Sequence, residues 1–227
     1  MKATEILEKT IEKYAHCSSY SDSGLVEFDG FEVPTMMRFR TRFRRPSLFT
    51  FEWKEEEPNW GGTEEYSLLW SVNGEAETIY RRGNRELIKS DPLSFAVSGA
   101  SGASHGAADL IASLLMPDIG EKRLFGLKVA ALQIHSESDE CFILQEKRDG
   151  ELDTLTLWIE KAELAIKKVD WSLYYTEEAI EEKLQWLEAE AKSKGLRPPR
   201  RDVEYYPIKW TNLFTYETVE FGGPVPV

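Results

Sequence analysis

The spacing of apolar residues changes along the chain and divides it into helical and strand-like segments. In residues 3–16 the apolar side chains recur at helical spacing: Ile6, Leu7, Ile11 and Tyr14. This spacing predicts an amphipathic helix, and the turn residues of SSYSDSG (18–24) are expected to end it. From Leu25 to about Arg82 the period is two, with Gly, Pro, Asn or Asp between short apolar runs, which is typical of an antiparallel meander.

A segment rich in glycine, serine and alanine interrupts the strand pattern between residues 91 and 120. SGASGASHGAA (98–108) is expected to be flexible, and DLIASLLMPD (109–118) is expected to form a helix that Pro117 ends. Strand patterns resume in three later runs: 124–134, 140–161 and 165–175. Arg-Asp-Gly at 148–150 predicts a hairpin turn.

A further helix is predicted between residues 177 and 194. Its apolar stripe consists of Ile180, Leu184, Leu187 and Ala191. Thr176 is the candidate N-cap and Gly195 the candidate stop. A strand-like run at 203–221 follows. Because no repeat or linker is evident, we predict one domain over 1–227, of class α+β, with about three helices on a large antiparallel sheet.

Composition limits the classes of function. The chain has 227 residues, a hydrophobic fraction of 41% and seven tryptophans, which is typical of a folded globular protein. Acidic residues outnumber basic ones by 40 to 28, and the net charge of −12 disfavours nonspecific binding to nucleic acid or an anionic membrane. The sequence has no apolar run of about 18 residues, so no transmembrane segment is expected. The charged N-terminus does not have the pattern of a signal peptide.

The sequence offers no pattern for a metal or a cofactor. His16, His105 and His135 lie far apart and there is no Cys-x-x-Cys pair, so no zinc site is predicted. There is no glycine-rich phosphate loop, and the acidic runs are interpreted as solvated faces. The sequence leaves two alternatives for Cys17 and Cys141: two buried free thiols or a disulfide.

Arginines are concentrated in one strand-like segment of this acidic chain. MMRFRTRFRRPSLFTFEW (36–53) alternates them with aromatic residues. Because side chains alternate between the faces of a strand, four of them share the outward face: Arg38, Arg40, Arg42 and Arg44. We interpret these four as a solvated stripe paired with acidic residues, with an anion-binding surface as the alternative.

Arg45 differs from these four, because parity places it on the apolar face. That face carries Phe39, Phe43, Phe49, Phe51 and Trp53. A bulge or corner at Pro46 would reset the phase. A guanidinium that points toward the core needs fixed partners to offset its desolvation. Since arginine has five donors and no acceptor, we expect those partners to be backbone carbonyls at a helix end or loop.

Several segments, taken in order, carry a resemblance to a known family. RRPSLFTFEW (44–53), followed by YSLLWSVNGEAETIY (66–80), resembles the outer-membrane lipoprotein carrier (LolA/LolB-like) family, which has an Arg-Pro-x-x-Phe strand corner at this place. LTLWIEKAELAIKKVDWSLYY (155–175) resembles the family's later hairpin. Residues 17–28 and 98–117 resemble secreted, uncharacterised bacterial members of the same superfamily.

The resemblance implies both a fold and a function. The family fold is an incomplete (half-open) antiparallel β-barrel whose concave, apolar side is covered by α-helices. The family role is to bind an apolar ligand, such as lipid acyl chains or a lipoprotein, outside the cytoplasm and without chemistry. The arginine of the family's strand corner bonds the helical lid, and Arg45 and Phe49 match that corner. The resemblance also implies a Cys17–Cys141 disulfide.

We therefore expect the ligand-binding residues to line the concave face and its cover. They are Arg45, Phe39, Phe43, Phe49, Phe51, Trp53, Trp70, Leu114 and Leu115. The chain departs from the family pattern by a charged helix inserted at about 176–197 and by its closing segment FGGPVPV. We expect a periplasmic or secreted protein whose signal peptide is absent from this sequence, with a cytoplasmic location as the alternative.

An enzyme is a competing interpretation. Gly-Ala-Ser-His-Gly at 102–106 matches the G-x-S-x-G pattern of a nucleophile elbow. In a serine hydrolase Ser104 would be the nucleophile and His135 the base. Asp109 or Asp118 would be the acid. Such a match arises easily in a run of small residues, so we favour a lid-like loop and no enzymatic activity.

An interaction module is a third function class, either regulatory or lipid-sensing and without a transport role. Trp186 falls off the apolar stripe of the helix predicted at 177–194, which makes it the candidate contact for a protein partner. The expected partners are thus an apolar ligand, lipoprotein acyl chains or a protein, and not nucleic acid.

Overall fold

The computed structural model describes most of the chain. It covers residues 1–30, 34–46, 48–55, 65–72, 75–82, 85–119, 124, 127, 131–146, 153–174, 177–195, 197 and 209–224. The helices are α1 (Ala3–His16), α2 (Leu93–Ala103), α3 (Ala107–Leu115) and α4 (Glu177–Ser193). The strands are β1 (Ser19–Asp29), β2 (Thr35–Arg44), β3 (Leu48–Glu55), β4 (Glu65–Val72), β5 (Glu75–Arg82), β6 (Arg85–Pro92), β7 (Leu132–Glu137), β8 (Cys141–Glu146), β9 (Asp153–Glu160), β10 (Ile166–Tyr174) and β11 (Lys209–Phe221).

The strands of the described residues form one antiparallel sheet. Their order is β6-β5-β4-β3-β2-β1-β11-β10-β9-β8-β7. Because β6 and β7 are the two edges and do not pair with each other, the sheet is not closed. The predicted α+β fold with a half-open antiparallel barrel is thereby confirmed. Strand β11 lies between β1 and β10, so the last strand of the chain joins the two halves of the sheet.

A glycine permits the close pairing of β1 and β11. The register between these strands shifts at Ser23 and Gly24. A Cβ atom on Gly24 would lie 2.3 Å from the carbonyl oxygen of Thr215 and 2.6 Å from the ring of Phe39. Any larger residue would therefore force the two strands and the ring apart.

Helices α1, α2 and α3 cover one face of the sheet, which we call concave; the opposite face is convex. Helix α3 contacts α1 and β2, while α2 contacts β4, β5 and β6. Nearly every residue of α3 is buried: Ala107, Ala108, Leu110, Ile111, Ala112, Ser113, Leu114 and Leu115. The core is thus the layer between the concave face and these three helices.

Two sequence predictions about local structure are wrong. The tract expected to be flexible forms most of α2 and its connection to α3, because small residues such as Ala96 and Ala100 let the helix pack closely. Residues 18–24, expected to be a turn, lie mostly within β1, where Asp22 pairs with Thr41 of β2. Pairing with a strand distant in sequence overrides the local turn preference there.

The other helix predictions agree with the structure. The predicted helices correspond to α1, α3 and α4, and α3 ends before Pro117. Gly195 follows α4 with φ +65, the left-handed conformation expected of a helix stop. Thr176 and the turn predicted at 148–150 lie outside the described residues. That residues 1–227 form a single domain stays a prediction. Within the described parts of the chain, no helix combines the length and apolar character needed to cross a membrane.

Candidate functional site

Arg45 lies in the turn between β2 and β3 and reaches two helices of the cover. Its Nε donates to the carbonyl oxygen of Cys17 at 2.9 Å, and its Nη2 donates to that of Leu115 at 2.8 Å. Nη2 also donates to the carbonyl oxygen of Ala15. The guanidinium carbon lies 5.0 Å from the ring centroid of Phe43. One side chain of a sheet connection is therefore hydrogen-bonded to the segments that end α1 and α3.

The carbonyl groups of Ala15 and Leu115 that accept from Arg45 both lie at helix C-termini. Ala15 lies in the last turn of α1, and Leu115 is the last residue of α3. Carbonyl groups at a helix C-terminus lack intrahelical donors and carry the negative end of the helix dipole. A guanidinium supplies both donors and positive charge, so Arg45 stabilises the two helix ends together. We call Arg45 the latch.

The structure agrees with the partners expected for Arg45 and corrects its location. The expectation of backbone carbonyls at helix ends is confirmed. Parity had placed the side chain on the apolar side, and its contacts with Phe43 and with the helices of the cover agree with this. Only the location within a strand is wrong, because β2 ends at Arg44. The turn with Pro46 instead brings the half-buried side chain beside the helix ends.

The four arginines before it belong to the convex face, as predicted. Arg38, Arg40 and Arg44 are exposed, whereas Arg42 is half-buried. Arg38 pairs with Glu217, and Arg42 pairs with Glu52, each with an N–O distance of 3.1 Å. Two of these four arginines, Arg38 and Arg42, are thus paired with acidic residues of other strands.

The aromatic residues predicted for the concave face lie there. None is more than 5% exposed: Phe39, Phe43, Phe49, Phe51 and Trp53. Leu114 and Leu115 of α3 belong to the same buried cluster. The side chains of Phe39, Phe43, Phe49 and Phe51 are packed in the core between the sheet and the cover. A ligand role for these residues stays a prediction.

Trp70 is the exception, since the structure places it on the convex face with 43% of its surface exposed. In β4 the residues on the concave face are Ser67, Leu69 and Ser71, all buried. Trp70 pairs with Thr50 of β3. Because it alternates with these three residues along the strand, its side chain lies on the opposite face. The prediction that Trp70 lines the concave face is therefore wrong.

A buried acid that the sequence analysis missed lies at the same end of the sheet as the latch. Asp22 accepts hydrogen bonds from the hydroxyl of Tyr20 at 2.8 Å and from the N–H of Thr41 at 2.9 Å. Burial raises the pKa of Asp22 to about 7, although these two hydrogen bonds act in the opposite direction. The ring of Tyr14 packs against Tyr20 with centroids 5.3 Å apart, and its hydroxyl accepts from the N–H of Ile166 at 3.0 Å.

The surroundings of Asp22 are aromatic and neutral. Burial raises the pKa of Tyr20 and of Tyr14, so both phenols stay protonated near pH 7. We call this region the latch end; it comprises Arg45, Phe43, Tyr14, Tyr20 and Asp22. A sequence signal was present, because Tyr20 and Asp22 continue the period of two that Val26 and Phe28 follow.

The opposite end of β2 and β3 contains a pocket of about 250 Å³. Its lining consists of Thr35, Met37, Trp53, Glu55, Ser67, Tyr80, Ala103 and His105. Trp53, Ser67 and Tyr80 are direct neighbours across β3, β4 and β5. The small side chain of Ser67 and the rings of Trp53 and Tyr80, whose centroids lie 5.9 Å apart, form the sheet side of the pocket. The α2–α3 connection bounds it on the helix side. We call Trp53, Glu55, Ser67, Tyr80 and His105 the pocket end.

His105 occupies a constrained position in the α2–α3 connection. Its φ of +51 lies in the left-handed region, which is uncommon for a residue other than glycine. Its ring stacks on Phe28 with centroids 4.1 Å apart and planes 7° from parallel. Burial lowers the pKa of His105, so the imidazole is neutral at pH 7. Such strain in a pocket lining is typical of functional sites.

The hydrolase interpretation finds no support in the placement of Ser104. This residue is fully buried, and its hydroxyl accepts a hydrogen bond from the N–H of Ala108 at 3.2 Å. It therefore caps the start of α3. His135, the candidate base, lies on edge strand β7, at the opposite edge of the sheet from the strands that α2 contacts. Asp109 lies in the first turn of α3 and Asp118 follows that helix.

The remaining candidates are placed as follows. Cys17 and Cys141 are free thiols, so the disulfide implied by the resemblance is not formed in this structure. The thiol of Cys17 donates to the carbonyl oxygen of Tyr14 at 3.1 Å. Trp186 of α4 is 59% exposed. Within the described ranges, no group of three or more His, Cys, Asp and Glu side chains is arranged to hold a metal ion.

Comparisons with known proteins give similarity among solved structures alone. No family model and no curated protein matches the chain. A structure of the Pseudomonas aeruginosa MucA/MucB complex is similar over 99% of this chain and 58% of that one, with 11% identity and a TM-score of 0.45. The chain thus spans less than two thirds of that protein's length.

Two further structures match over nearly their whole length. One is described as an outer-membrane lipoprotein-sorting protein domain from Vibrio parahaemolyticus, with 11% identity, 99% and 94% coverage and a TM-score of 0.36. The other is a LolA superfamily protein from Nitrosomonas europaea, with 13% identity, 100% and 96% coverage and a TM-score of 0.33. Proteins with these descriptions are thus among those similar to this chain, as the sequence resemblance anticipates, and nothing about a ligand follows from the likeness.

Proposed function

We propose that this protein is a non-catalytic binding or carrier protein for an apolar ligand, such as lipid acyl chains or a lipoprotein. The ligand enters between the concave face and the cover formed by α1, α2 and α3. The observation that supports this role is the latch. Arg45 connects a turn of the sheet to the ends of two helices, so loss of its hydrogen bonds weakens the attachment of both.

The cover is held to the sheet by a few further polar contacts of α1 and by apolar packing, and a ligand can replace the apolar part. Helix α1 is also tied down by the Lys13–Glu163 ion pair and by the hydrogen bond from Ile166 to Tyr14. Most of the remaining contact is apolar and therefore non-directional. An acyl chain recovers about 0.8 kcal/mol for each buried methylene, so ten methylenes contribute on the order of 8 kcal/mol toward opening the cover.

The connection between α2 and α3 is a suitable hinge for this movement. His105 and Gly106 both have positive φ angles, of 51° and 97°. Large changes of backbone angle in opening proteins are absorbed by a few residues at the ends of elements. Rotation at these two residues lifts α3 from β2 while α2 keeps its contacts with β4–β6.

The experiment compares Arg45→Leu with Arg44→Leu, the exposed neighbour in the same segment. Purified protein is titrated with an environment-sensitive apolar dye, the dye is displaced with fatty acids, and the rate of ligand exchange is measured. We expect saturable binding in the unsubstituted protein, faster exchange in Arg45→Leu and unchanged exchange in Arg44→Leu. Native mass spectrometry of the purified protein and of its solvent extract identifies any ligand that is carried along.

Other outcomes would contradict the proposal. Equal exchange rates in both variants would contradict the role of Arg45 as the latch. The absence of both dye binding and co-purified lipid would contradict the carrier role. A fluorophosphonate probe tests the proposed lack of hydrolase activity: no labelling is expected, and labelling that Ser104→Ala abolishes would contradict it.

The proposal includes a periplasmic or secreted location, which is supported by the sequence resemblance. Fractionation of the source cells tests it, since a protein found only in the cytoplasm would be incompatible with transport between membranes. The single domain over 1–227 is part of the same proposal. One cooperative unfolding transition followed by two probes is expected.

A second candidate function is a protein-interaction module, favoured by the exposure of Trp186. A large aromatic side chain that is 59% exposed on α4 is the kind of residue that contributes most to binding a partner. A photo-crosslinker at position 186 tests this role in cells. Specific crosslinks that Trp186 substitution abolishes, together with no ligand binding, would favour this function over the carrier.

A further inference from the structure

Two aromatic walls meet at right angles in the pocket. Trp53 and Tyr80 have ring centroids 5.9 Å apart and planes at 82° to each other. Ser67 lies between them on β4 and is 8% exposed. Because its side chain is small, it does not cover the rings on the side of the pocket. Gly99 of α2 faces the Tyr80 hydroxyl, and a Cβ atom there would be 3.8 Å from it. The helix thus leaves room for this ring to stand in the wall.

The charge of the pocket is negative. Glu55 supplies a carboxylate to the lining, next to Thr35 and Ser67 with their hydroxyl groups. His105 is neutral at pH 7, because burial lowers its pKa. The residues that the structure describes in the lining include no lysine or arginine.

One basic residue lies close to the pocket. Lys89 of β6 has its Nζ 5.8 Å from the centroid of the Tyr80 ring. Burial, and after it the negative charge of Asp91 on the same strand, raise the pKa of the Tyr80 phenol. Two aromatic rings, the small Ser67 and the carboxylate of Glu55 together have the composition of an aromatic cage. Such cages bind alkylammonium groups through cation–π attraction and a counter-charge.

We propose that this pocket binds a compact organic cation, an alkylammonium or quaternary ammonium group. The cation is either a free small molecule or the headgroup of the apolar ligand, and this second case rests on the proposed function. Trp53 and Tyr80 contact the cation with their rings, and Glu55 balances its charge. Ser67 and Ala103 keep the volume open, since larger side chains at these positions would fill it.

The experiment compares ligands that differ in charge but not in shape. Choline and its neutral isostere 3,3-dimethylbutan-1-ol are titrated against the protein and followed by tryptophan fluorescence and ligand-observed NMR. A second pair, dodecyltrimethylammonium and dodecyldimethylamine N-oxide, has headgroups of nearly the same shape, and the second has no net charge near neutral pH. Both are used below the micellar concentration. We expect choline to bind at least tenfold more tightly than the alcohol. If only the amphiphile pair discriminates, the cation is a headgroup; if choline alone does, it is a free solute.

Variants locate the binding. Glu55→Gln keeps the shape of the lining and removes the charge, so affinity for choline is expected to fall roughly tenfold. Ser67→Phe places a third ring in the pocket and is expected to abolish binding. Glu77→Gln, on the convex face of β5, is the control and should leave affinity unchanged. If Ser67→Phe does not fold, Glu55→Gln and the choline–alcohol pair still decide.

The outcomes separate this proposal from the carrier role. Equal affinity for each charged and neutral pair, or an unchanged Glu55→Gln variant, overturns the cation site. Fatty-acid binding in that case leaves the carrier role intact. Choline binding without any binding of dye or fatty acid overturns the carrier role and supports the cation site for a free solute.

Discussion

The latch end and the pocket end lie on the same concave face and are built from the same strands, but they are filled differently. At the latch end, Phe43 of β2 pairs with Phe49 of β3, and both rings are almost completely buried. At the pocket end, Trp53 of β3 pairs with Ser67 of β4, which pairs in turn with Tyr80 of β5. A small residue between two large ones leaves a pocket where two large ones leave none.

The two ends also differ in how polar groups are satisfied. Asp22 is buried with its hydrogen bonds supplied by the protein, and the guanidinium of Arg45 is matched to the carbonyls of two helix ends. At the pocket end, Glu55 and His105 line a pocket of about 250 Å³. One sheet face thus combines a filled region with a region that contains a pocket. The following changes test this difference.

The largest effect is expected from truncating the core of the latch end. Phe49→Ala should lower the free energy of unfolding by about 3–5 kcal/mol, because it leaves a cavity in a filled layer. Trp53→Ala should cost less despite its larger ring, because its side chain already borders a pocket that water can enter. Urea unfolding of both variants measures the two losses. Equal losses would mean that the two ends are packed alike.

A smaller effect that depends on pH is expected at Asp22. Its pKa is about 7 when folded, above the ordinary value of 3.8, so folding takes up a proton between these pH values. Stability therefore falls as pH rises from about 4 to 7 and changes no further from this group above that. Asp22→Asn keeps an acceptor for Thr41 and removes the charge, so at pH 8 it should exceed the original protein in stability by roughly 3–4 kcal/mol.

Urea midpoints of both proteins between pH 4.5 and 8 check this prediction. The gap between the two curves should widen with pH and level off near neutrality. A difference in urea midpoint that stays constant with pH would mean that Asp22 does not titrate in this range. The latch end would then be less shielded from water than the burial of Asp22 indicates.

Replacing the latch by the other long cation is expected to have a moderate effect. Arg45→Lys keeps the charge but loses the planar fork that reaches Cys17 and Leu115 at once. We expect a loss of about 1–2 kcal/mol, because at least one carbonyl at a helix end loses its donor. Arg44→Lys, at an exposed position, should change stability by less than about 0.5 kcal/mol. Thermal unfolding followed by circular dichroism compares them, and equal values would remove the distinction between these neighbours.

The smallest effect is expected on the convex face. Arg38 and Glu217 form an ion pair in which both side chains are about half exposed, at 50% and 48%. Glu217→Gln should therefore cost only about 0.2–1 kcal/mol, and the difference should shrink in 1 M salt because solvent ions screen the pair. Urea midpoints at low and high salt measure it. A loss as large as that of Arg45→Lys would show that the convex stripe stabilises the sheet as much as the latch does.

Much of the fold follows from patterns within short segments. Helix α1 and helix α4 were predicted from spacing, and the alternation from Arg38 to Phe43 assigned each side chain to its face correctly. The prediction for Trp70 failed because the more apolar positions of β4 face outward: Ser67, Leu69 and Ser71 are buried, whereas Trp70 is exposed. Only the register with β3 decides which set of positions lies on the concave face. The carbonyl partners of Arg45 were predicted from donor chemistry, and its place at a strand corner was implied by the family resemblance.

Features that depend on one short segment could be derived from the amino-acid order: the helical and strand periods, the outward arginines and an arginine in need of carbonyl partners. Contacts between residues distant along the chain became known from the fold. It turned residues 19–24 into a strand, turned a glycine- and serine-rich tract into helix α2, and placed Ser67 between Trp53 and Tyr80. The physical reason is that a side-chain period is a property of one segment. Burial of Asp22 and the volume of the pocket depend on the register between strands and on the helices that cover them.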